Sequence, residues 1–229
     1  MLICKMKHKS GFVNIIGNPN VGKSTLMNSL IGQDLSIITS KAQTTRHRIK
    51  GILSDENYQI VFSDTPGVIK PAYKLQESMM QFVKSAFQDA DVIMYVVEIG
   101  EKGLKDNDIF EKIQQLKIPL IILLNKIDLV SQEKVLEEIE NWTSKISTAK
   151  VLPISALNGF NINEVIELIL EVLPESPAYY SKDDVTDKSE RFFIEEIIRE
   201  KILKHYKKEV PYSVAVSYTH LTLPTKRIV

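Results

Sequence analysis

Several residue types are scarce in this chain, and each shortage excludes a class of protein. Cys4 is the only cysteine among 229 residues, which excludes a disulfide-bonded scaffold and indicates a reducing compartment or indifference to redox state. Nine glycines and nine prolines are too few for a collagen-like or low-complexity chain. No run of about 18 apolar residues occurs, so the sequence predicts no membrane-spanning helix. Residues 1–10 carry lysines but no following apolar segment, so they do not resemble a secretory signal, and we expect a cytoplasmic protein.

An excess of charge of either sign is also lacking, because 29 basic side chains balance 29 acidic ones. This balance argues against a protein that coats nucleic acid, and we expect no DNA partner. Two local basic clusters could still contact phosphate groups, although a solvated surface explains each of them equally well. The first cluster is Lys41, Arg46, Arg48 and Lys50, and the second is Arg199, Lys201, Lys204, Lys207 and Lys208.

Short apolar runs alternate with amphipathic stretches of helical length over residues 10–173. Runs rich in Val, Ile and Leu without polar alternation are typical of strands that are buried on both faces of a parallel sheet. The predicted strands are 12–16, 59–62, 92–97, 120–124 and 151–154, and an antiparallel edge strand is expected at 51–54. The predicted helices are 23–31, 74–87, 106–116, 133–142 and 161–173. The pattern predicts an α/β domain with a mostly parallel central sheet.

A domain boundary is expected after Leu173. Prolines and polar residues over 174–188 predict a linker. Ser189 is a suitable N-cap for a further helix that runs to about Tyr206. Apolar residues at helical spacing form a stripe on this helix, and they are Phe193, Ile194, Ile197, Ile198 and Ile202. Residues 212–216 predict the opening of a strand.

The segment G-N-P-N-V-G-K-S at 17–24 matches G-x-x-x-x-G-K-[ST] and stands between a predicted strand and a predicted helix. Gly17 and Gly22 let backbone N–H groups converge on phosphates, Lys23 reaches the β and γ oxygens, and the Ser24 hydroxyl binds Mg²⁺. The sequence therefore predicts a nucleotide-binding P-loop. Its predicted binding residues are Gly17, Asn18, Pro19, Asn20, Val21, Gly22, Lys23, Ser24 and Thr25.

The tetrapeptide Asp64-Thr65-Pro66-Gly67 follows the end of a predicted strand. In isolation it would be an ordinary turn, but downstream of a P-loop it predicts a second phosphate-binding segment. Asp64 can hold Mg²⁺ through a water molecule, while the Gly67 N–H can bind the γ-phosphate that exists only in the triphosphate state. We expect Lys23 and Gly67 to take part in catalysis.

Two further segments predict which base is bound. Asn125-Lys126-Ile127-Asp128 ends a predicted strand, at the sheet edge where open α/β folds bind ligands. A carboxylate from Asp128 can accept hydrogen bonds from N1–H and the 2-amino group of guanine, whereas adenine presents an acceptor at N1 and has no amino group at position 2, so we expect selection of GTP over ATP. Ser155-Ala156-Leu157, after the next strand, is expected to close over the base.

These residues together resemble the translation-factor-like GTPases, and more closely the Era family of ribosome-associated GTPases. The resemblance covers residues 10–217 and rests on G-N-P-N-V-G-K-S-T, Q-T-T-R-H at 43–47, D-T-P-G, N-K-I-D, S-A-L and the helix opening S-E-R-F-F-I-E-E-I-I-R-E at Ser189. It implies a P-loop NTPase fold followed by the start of an α+β KH-type RNA-binding domain. It also implies GTP or GDP with Mg²⁺, a role in maturation of the small ribosomal subunit, binding to 16S rRNA and peripheral contact with the inner face of the cell membrane.

The resemblance also bears on catalysis and metal binding. Either Thr44 or Thr45, in the loop called switch I, should bind Mg²⁺ in the triphosphate state, and comparison with relatives favours Thr45 as a metal ligand and catalytic residue. Val68 stands where many GTPases have a glutamine that orients the attacking water. Related GTPases without this glutamine can recruit K⁺ through a P-loop asparagine, and Asn20 matches that position, although a role in stabilising the loop explains this asparagine equally well.

The expected KH unit is incomplete, because a KH domain needs a G-x-x-G loop and no glycine follows Gly159. A complete KH domain would cover the apolar stripe of the helix at Ser189 with a sheet, but too few residues follow to build one, so we expect the stripe to be uncovered. We expect a partial KH-like unit at 189–217 and a tail at 218–229 that is not native sequence, which leaves RNA binding by this chain open.

Two alternatives remain. One is a related GTPase of tRNA modification or ribosome assembly that needs no KH domain. The other is an RNA-binding module in which the GTPase fold is only a scaffold, and the absent G-x-x-G counts against it.

Overall fold

Strands and helices alternate along the chain. The strands are β1 Lys9–Ile16, β2 Ile49–Ser54, β3 Tyr58–Asp64, β4 Val92–Glu98, β5 Leu120–Asn125 and β6 Lys150–Pro153. The helices are α1 Lys23–Ile31, α2 Lys74–Ala86, α3 Asn107–Gln114, α4 Gln132–Lys145, α5 Ile162–Val172 and α6 Glu190–His205, and a short 3-10 helix occupies Ile127–Leu129. The computed structural model describes residues 8–41, 43–206 and 214–220.

All six strands belong to one sheet, in the order β2-β3-β1-β4-β5-β6. The edge strand β2 pairs antiparallel with β3, and the other neighbouring pairs in the described chain are parallel. The predicted α/β class with a mostly parallel sheet is confirmed. The carboxyl ends of the parallel strands meet at one edge of such a sheet, which is where the loops that follow β1, β3, β5 and β6 come together.

Both faces of the sheet are buried, as the unalternating apolar strands require. Along β4, Met94 and Val96 enter one core cluster with α1 and α5. Their neighbours Tyr95 and Val97 enter the opposite cluster with α2, α3 and α4. Successive side chains of a strand point to opposite faces, so a strand between two helical layers must be apolar at every position.

The segment predicted as a linker at 174–188 packs against the edge of the sheet. The backbone N–H of Ile52 donates to the Val185 carbonyl at 2.8 Å. Gln59 is fully buried, and its Oε1 accepts from the backbone N–H groups of Tyr179 and Tyr180 at 2.8 and 2.9 Å. The polar composition predicted a linker, and in the structure this segment is docked, with its Val185 carbonyl pairing with the open edge of β2.

Helix α6 begins where the sequence predicted, because the Ser189 side chain accepts from the Phe192 N–H. The apolar stripe of α6 is only partly covered: Ile197 is 53% exposed and the other four residues are half-buried, while the fully buried residues of the helix are Glu196, Arg199 and Leu203. The buried face of α6 meets switch I, where Arg199 donates to the Thr44 carbonyl, so an ion pair is buried there, while Phe192 and Phe193 pack against the core.

The region after α6 is only partly described. Residues 214–216 are irregular and do not open a strand, while 212 and 213 of the same prediction lie outside the described residues. Of the tail predicted at 218–229, only 218–220 are described. Among the described residues no helix has the length and apolar character needed to cross a membrane.

Candidate functional site

A cleft of about 550 Å³ lies at the carboxyl edge of the parallel strands. The loops after β1, β3, β5 and β6 and the switch I loop, residues 32–48, enclose it. Most of the predicted site residues line it: Pro19, Asn20, Gly22, Lys23, Ser24, Thr25, Thr45, Gly67, Asn125, Lys126, Asp128, Ala156 and Leu157. The sequence motifs, of which the first and the last are more than a hundred residues apart, are therefore brought together by the parallel sheet.

The P-loop is fixed by its own short-range contacts. Gly22 has φ +96°, a left-handed conformation that favours glycine, at the N-cap of α1. Lys23 is buried, and its Nζ donates to the Asn18 carbonyl at 2.8 Å. Burial lowers the pKa of Lys23 to about 8, and Asp64 and Glu101 oppose the shift. A buried ammonium group at a helix N-terminus provides positive charge for an anion.

Three oxygen-bearing side chains converge beside Lys23. The Ser24 hydroxyl donates to Asp64 Oδ2 at 2.7 Å and lies 3.0 Å from Thr45 Oγ1, and Thr45 Oγ1 donates to the same carboxylate oxygen at 3.4 Å. The other oxygen, Asp64 Oδ1, is buried without a hydrogen-bond partner among the described residues. Burial raises the pKa of this carboxyl, which Lys23 and the neighbouring hydroxyls oppose. Hard oxygen donors around an unsatisfied carboxylate fit Mg²⁺.

Of the two candidate threonines, Thr45 lies in this cluster and Thr44 does not. The Thr44 hydroxyl donates to the Lys41 carbonyl at 2.7 Å and lies 2.6 Å from Thr39 Oγ1. These bonds stay within switch I. The Thr45 side chain instead extends toward Ser24, which is the arrangement that a Mg²⁺ ligand from switch I requires.

The base end of the cleft is built from the loops after β5 and β6. Asn125 is buried, and its amide donates to the Val21 carbonyl at 2.8 Å and accepts from the Ala156 N–H at 3.0 Å. Asp128 is exposed at the mouth, where Ser155 Oγ donates to its Oδ1 at 2.5 Å. Asn125 therefore joins two loops through its side chain, while the Asp128 carboxylate is available to a base.

Some predicted site residues support the cleft without lining it: Gly17, Asn18, Val21, Asp64, Thr65, Pro66 and Ser155. A β-carbon on Gly17 would lie 2.3 Å from the Val96 carbonyl oxygen, so this glycine allows close packing. The Asn18 side chain donates to the Gly103 carbonyl and accepts from the Lys105 N–H, and Thr65 donates to the Ile15 carbonyl. The side chains of Asn18 and Thr65 thus face the protein and position the loops.

Sequence reasoning missed part of the lining, namely Ile37, Ile38, Thr39, Ser40, Gln43 and Leu129. All but Leu129 belong to switch I, whose path across the cleft leaves no periodic signal. Leu129 is 70% exposed beside the base end, as is Leu157 at 79%. Exposed leucines next to a predicted base-binding motif were a signal that could have been used.

Two residues singled out for hydrolysis have defined surroundings. Asn20 has φ +66°, and its Nδ2 donates to the Ser40 carbonyl at 3.3 Å, which links the P-loop to switch I. Val68 is fully buried in the core with Ile16 and Tyr95, and its N–H donates to the Gly17 carbonyl at 3.0 Å. The side chain at position 68 therefore does not enter the cleft.

Comparison with known proteins gives one family and many relatives. A family model for 50S ribosome-binding GTPases matches residues 12–126. The chain is 43% identical over 212 residues to GTPase Era of Staphylococcus haemolyticus and 45% identical over 209 residues to GTPase Era of Clostridium kluyveri. These alignments cover 92% and 91% of this chain, respectively, and 71% of each relative.

Two solved structures are similar over 90% of this chain and 70% of their own length, at 39% identity. One is Era in complex with MgGDPNP and nucleotides 1506–1542 of 16S ribosomal RNA, with a TM-score of 0.85. The other is a variant of Aquifex aeolicus Era bound to GDP and AlF4⁻, with a TM-score of 0.82. Both carry guanine nucleotides.

Proposed function

Because the chain belongs to the Era family of GTPases, we propose that it is a GTP-hydrolysing switch that acts on 16S rRNA in maturation of the small ribosomal subunit. The observation that supports a switch function is the cluster of Ser24, Thr45 and Asp64. It combines a P-loop residue, a switch I residue and the aspartate of D-T-P-G around one position. A triphosphate with Mg²⁺ can hold all three segments together, which a diphosphate does less well.

The residues of the cleft have different roles in hydrolysis. Lys23 and the N-terminal N–H groups of α1 hold the phosphates and stabilise their developing charge. Ser24 and Thr45 would hold Mg²⁺ directly and Asp64 through water, and the chemistry supplied there is neutralisation of negative charge on the phosphate oxygens. Gly67, whose β-carbon would lie 2.7 Å from Pro19 Cα, can bring its N–H close to the γ-phosphate only because it has no side chain.

The site provides little for the activation of the attacking water. The buried Val68 offers no polar group to orient the attacking water, so intrinsic hydrolysis should be slow. We propose that K⁺ supplies part of the missing charge stabilisation through Asn20, which already lies between the P-loop and switch I.

RNA is the proposed macromolecular partner, and the support is the Era complex with 16S rRNA. The first basic cluster is not a free patch: Arg48 binds Asp89 at 2.6 Å, and Lys50 donates to Tyr180 Oη at 3.1 Å. In the second cluster Arg199 is 4% exposed, so it is unavailable to RNA in this arrangement. Lys201 and Lys204 are exposed, and Lys207 and Lys208 lie outside the described residues.

We propose that the chain divides into three parts. We propose residues 10–173 as the GTP-binding domain and 189–217 as the start of a KH-like unit, with 174–188 docked between them. We propose a cytoplasmic location, which a 16S rRNA partner supports, and peripheral contact with the inner membrane face is proposed from the family resemblance. The relatives named Era favour this proposal over a GTPase of tRNA modification, and the complete Ser24–Thr45–Asp64 cluster argues against a mere scaffold.

GTP turnover with and without RNA tests this proposal. The assay compares no RNA, an RNA with the 3′ end of 16S rRNA, and a scrambled RNA of equal length at several salt concentrations, since phosphate contacts weaken with salt. We expect slow hydrolysis that the 16S RNA accelerates more than the scrambled RNA, and no binding or turnover for Lys23→Ala. If neither RNA changed the rate of GTP turnover by wild type, the GTPase assignment would stand and the proposed role in 16S rRNA maturation would fail.

A further inference from the structure

A buried ion pair on α6 lies against switch I. Arg199 Nε donates to Glu196 Oε1 at 2.8 Å, and Arg199 Nη2 donates to Glu196 Oε2 at 2.5 Å, so the pair is bidentate. The side chains are 4% and 8% exposed. Burying two charges is costly even when they are paired, so stability alone is a poor explanation for this pair.

The same guanidinium group makes one contact outside its helix. Arg199 Nη2 also donates to the backbone carbonyl of Thr44 at 2.5 Å. This carbonyl belongs to the planar peptide unit that joins Thr44 to Thr45, so fixing it restricts the direction in which the Thr45 side chain projects. That side chain is the one that lies 3.0 Å from Ser24 in the Mg²⁺ cluster.

The two residues that follow Thr45 also contact the C-terminal part of the chain. Arg46 Nη1 donates to the Val214 carbonyl at 2.7 Å. The His47 ring packs edge-on against Phe192 of α6, with the ring centroids 6.0 Å apart. Thr45 thus lies between anchored neighbours on both sides, and its own hydroxyl reaches the P-loop.

We propose that Arg199, oriented by Glu196, is a positioning residue for Thr45, and that α6 thereby favours the triphosphate–Mg²⁺ state over the diphosphate state. The inference rests on the proposed switch function. Thr45 contributes most when a triphosphate and Mg²⁺ are bound, so a residue that pre-positions it raises affinity for that state selectively. Arginine suits this position because its planar fork binds the carboxylate through two nitrogens and still donates to the carbonyl, whereas a lysine has one nitrogen and cannot form the bidentate pair.

The test uses the whole chain with Glu196→Gln and Arg199→Gln combined, because replacing both partners avoids leaving one buried charge unpaired. The control is Glu200→Gln with Lys204→Gln, a more exposed pair on the same helix at 2.8 Å. Dissociation constants are measured for GDP and for a non-hydrolysable GTP analogue, with Mg²⁺ and with EDTA. We expect the analogue with Mg²⁺ to bind about tenfold more weakly to the double variant, with GDP affinity nearly unchanged. The control should match wild type in every condition.

Other results have distinct meanings. An equal loss for GDP and the analogue, or an unchanged ratio between them, would overturn the inference and leave the pair a packing feature. If wild type itself failed to bind the GTP analogue, the proposed switch would fail instead. Should thermal melting show that the double variant is unfolded, Arg199→Lys decides: a folded variant with a reduced analogue-to-GDP preference supports the inference, and one with wild-type preference overturns it.

Discussion

The side-chain nitrogen of Asn125 lies 2.3 Å from the position that a β-carbon on Gly22 would occupy. The two residues are more than a hundred positions apart, and glycine is the residue that lets the amide reach the P-loop. From there Asn125 donates to the Val21 carbonyl, while its oxygen accepts from the Ala156 N–H. The phosphate end and the base end of the cleft are therefore joined by one side chain.

Replacement of this link, Asn125→Ala, should weaken binding of GDP and GTP alike. The Val21 carbonyl and Ala156 N–H would be left buried and unpaired, at a cost of roughly 1–3 kcal/mol each. We expect both affinities to fall by about tenfold or more, as measured by fluorescent nucleotide titration. Asn158→Ala changes an exposed asparagine near the same loop and should bind as wild type does. A loss confined to GTP would show that Asn125 does not act as a structural link.

Base choice should depend on the Asp128 carboxylate. Wild type should prefer GTP over ATP by at least about 100-fold, because the wrong base leaves buried or oriented hydrogen-bonding groups unpaired. Asp128→Asn can donate where the carboxylate only accepts, so we expect a shift toward xanthine nucleotides. Competition of GTP, XTP and ATP against labelled GDP measures this. Displacement of labelled GDP by ATP as readily as by GTP in wild type would contradict the assignment.

The sequence predicted most of the fold and the nucleotide motifs because both leave local signals. Met94 to Val97 are apolar at every position, as a strand between two helical layers must be. The eight-residue pattern G-x-x-x-x-G-K-S predicts a phosphate-binding loop without any information from distant residues. The contacts of α6 leave no such signal. Nothing in the spacing of Glu196 and Arg199 distinguishes a buried pair from an exposed one, since the partner is a carbonyl on a distant loop.

Monovalent cations should alter the rate of hydrolysis through Asn20. We expect faster GTP turnover in K⁺ than in Na⁺ at equal ionic strength, because position 68 provides no polar side chain to the reaction. Asn20→Ala should remove the difference between the two salts. It should also loosen switch I modestly, since the bond from Asn20 to the Ser40 carbonyl is lost. Identical wild-type rates in K⁺ and Na⁺ would exclude the K⁺ site and leave the GTPase assignment intact.

The docked segment at 174–188 should depend on Gln59. This fully buried side chain accepts from the N–H groups of Tyr179 and Tyr180 and donates to the Tyr180 carbonyl at 3.0 Å. Gln59→Ala leaves several backbone groups unpaired, and we expect a loss of about 2–4 kcal/mol in the free energy of unfolding. Limited proteolysis should then cut within 174–188, where wild type resists. Gln88→Ala, at an exposed site, serves as the control, and equal resistance of both variants would show that the docking does not rely on Gln59.

Nucleotide affinity should fall as pH rises through about 8, because burial lowers the pKa of Lys23 to about 8 in the nucleotide-free protein. The protonated form is the one that attracts phosphate, so below this pH the ammonium is already charged and affinity is level. Above it, binding must take up a proton, and the dissociation constant for GDP in EDTA should rise by up to about tenfold per pH unit. Titrations between about pH 7 and 9 measure the slope, and calorimetry in buffers of different ionisation enthalpy measures the proton taken up. The Lys23→Arg variant keeps its positive charge across this range, so it should bind GDP more weakly but with an affinity that does not change with pH. Any pH dependence that remains in this variant measures the titration of the nucleotide itself. A slope that persists unchanged in Lys23→Arg would assign the pH dependence to another group.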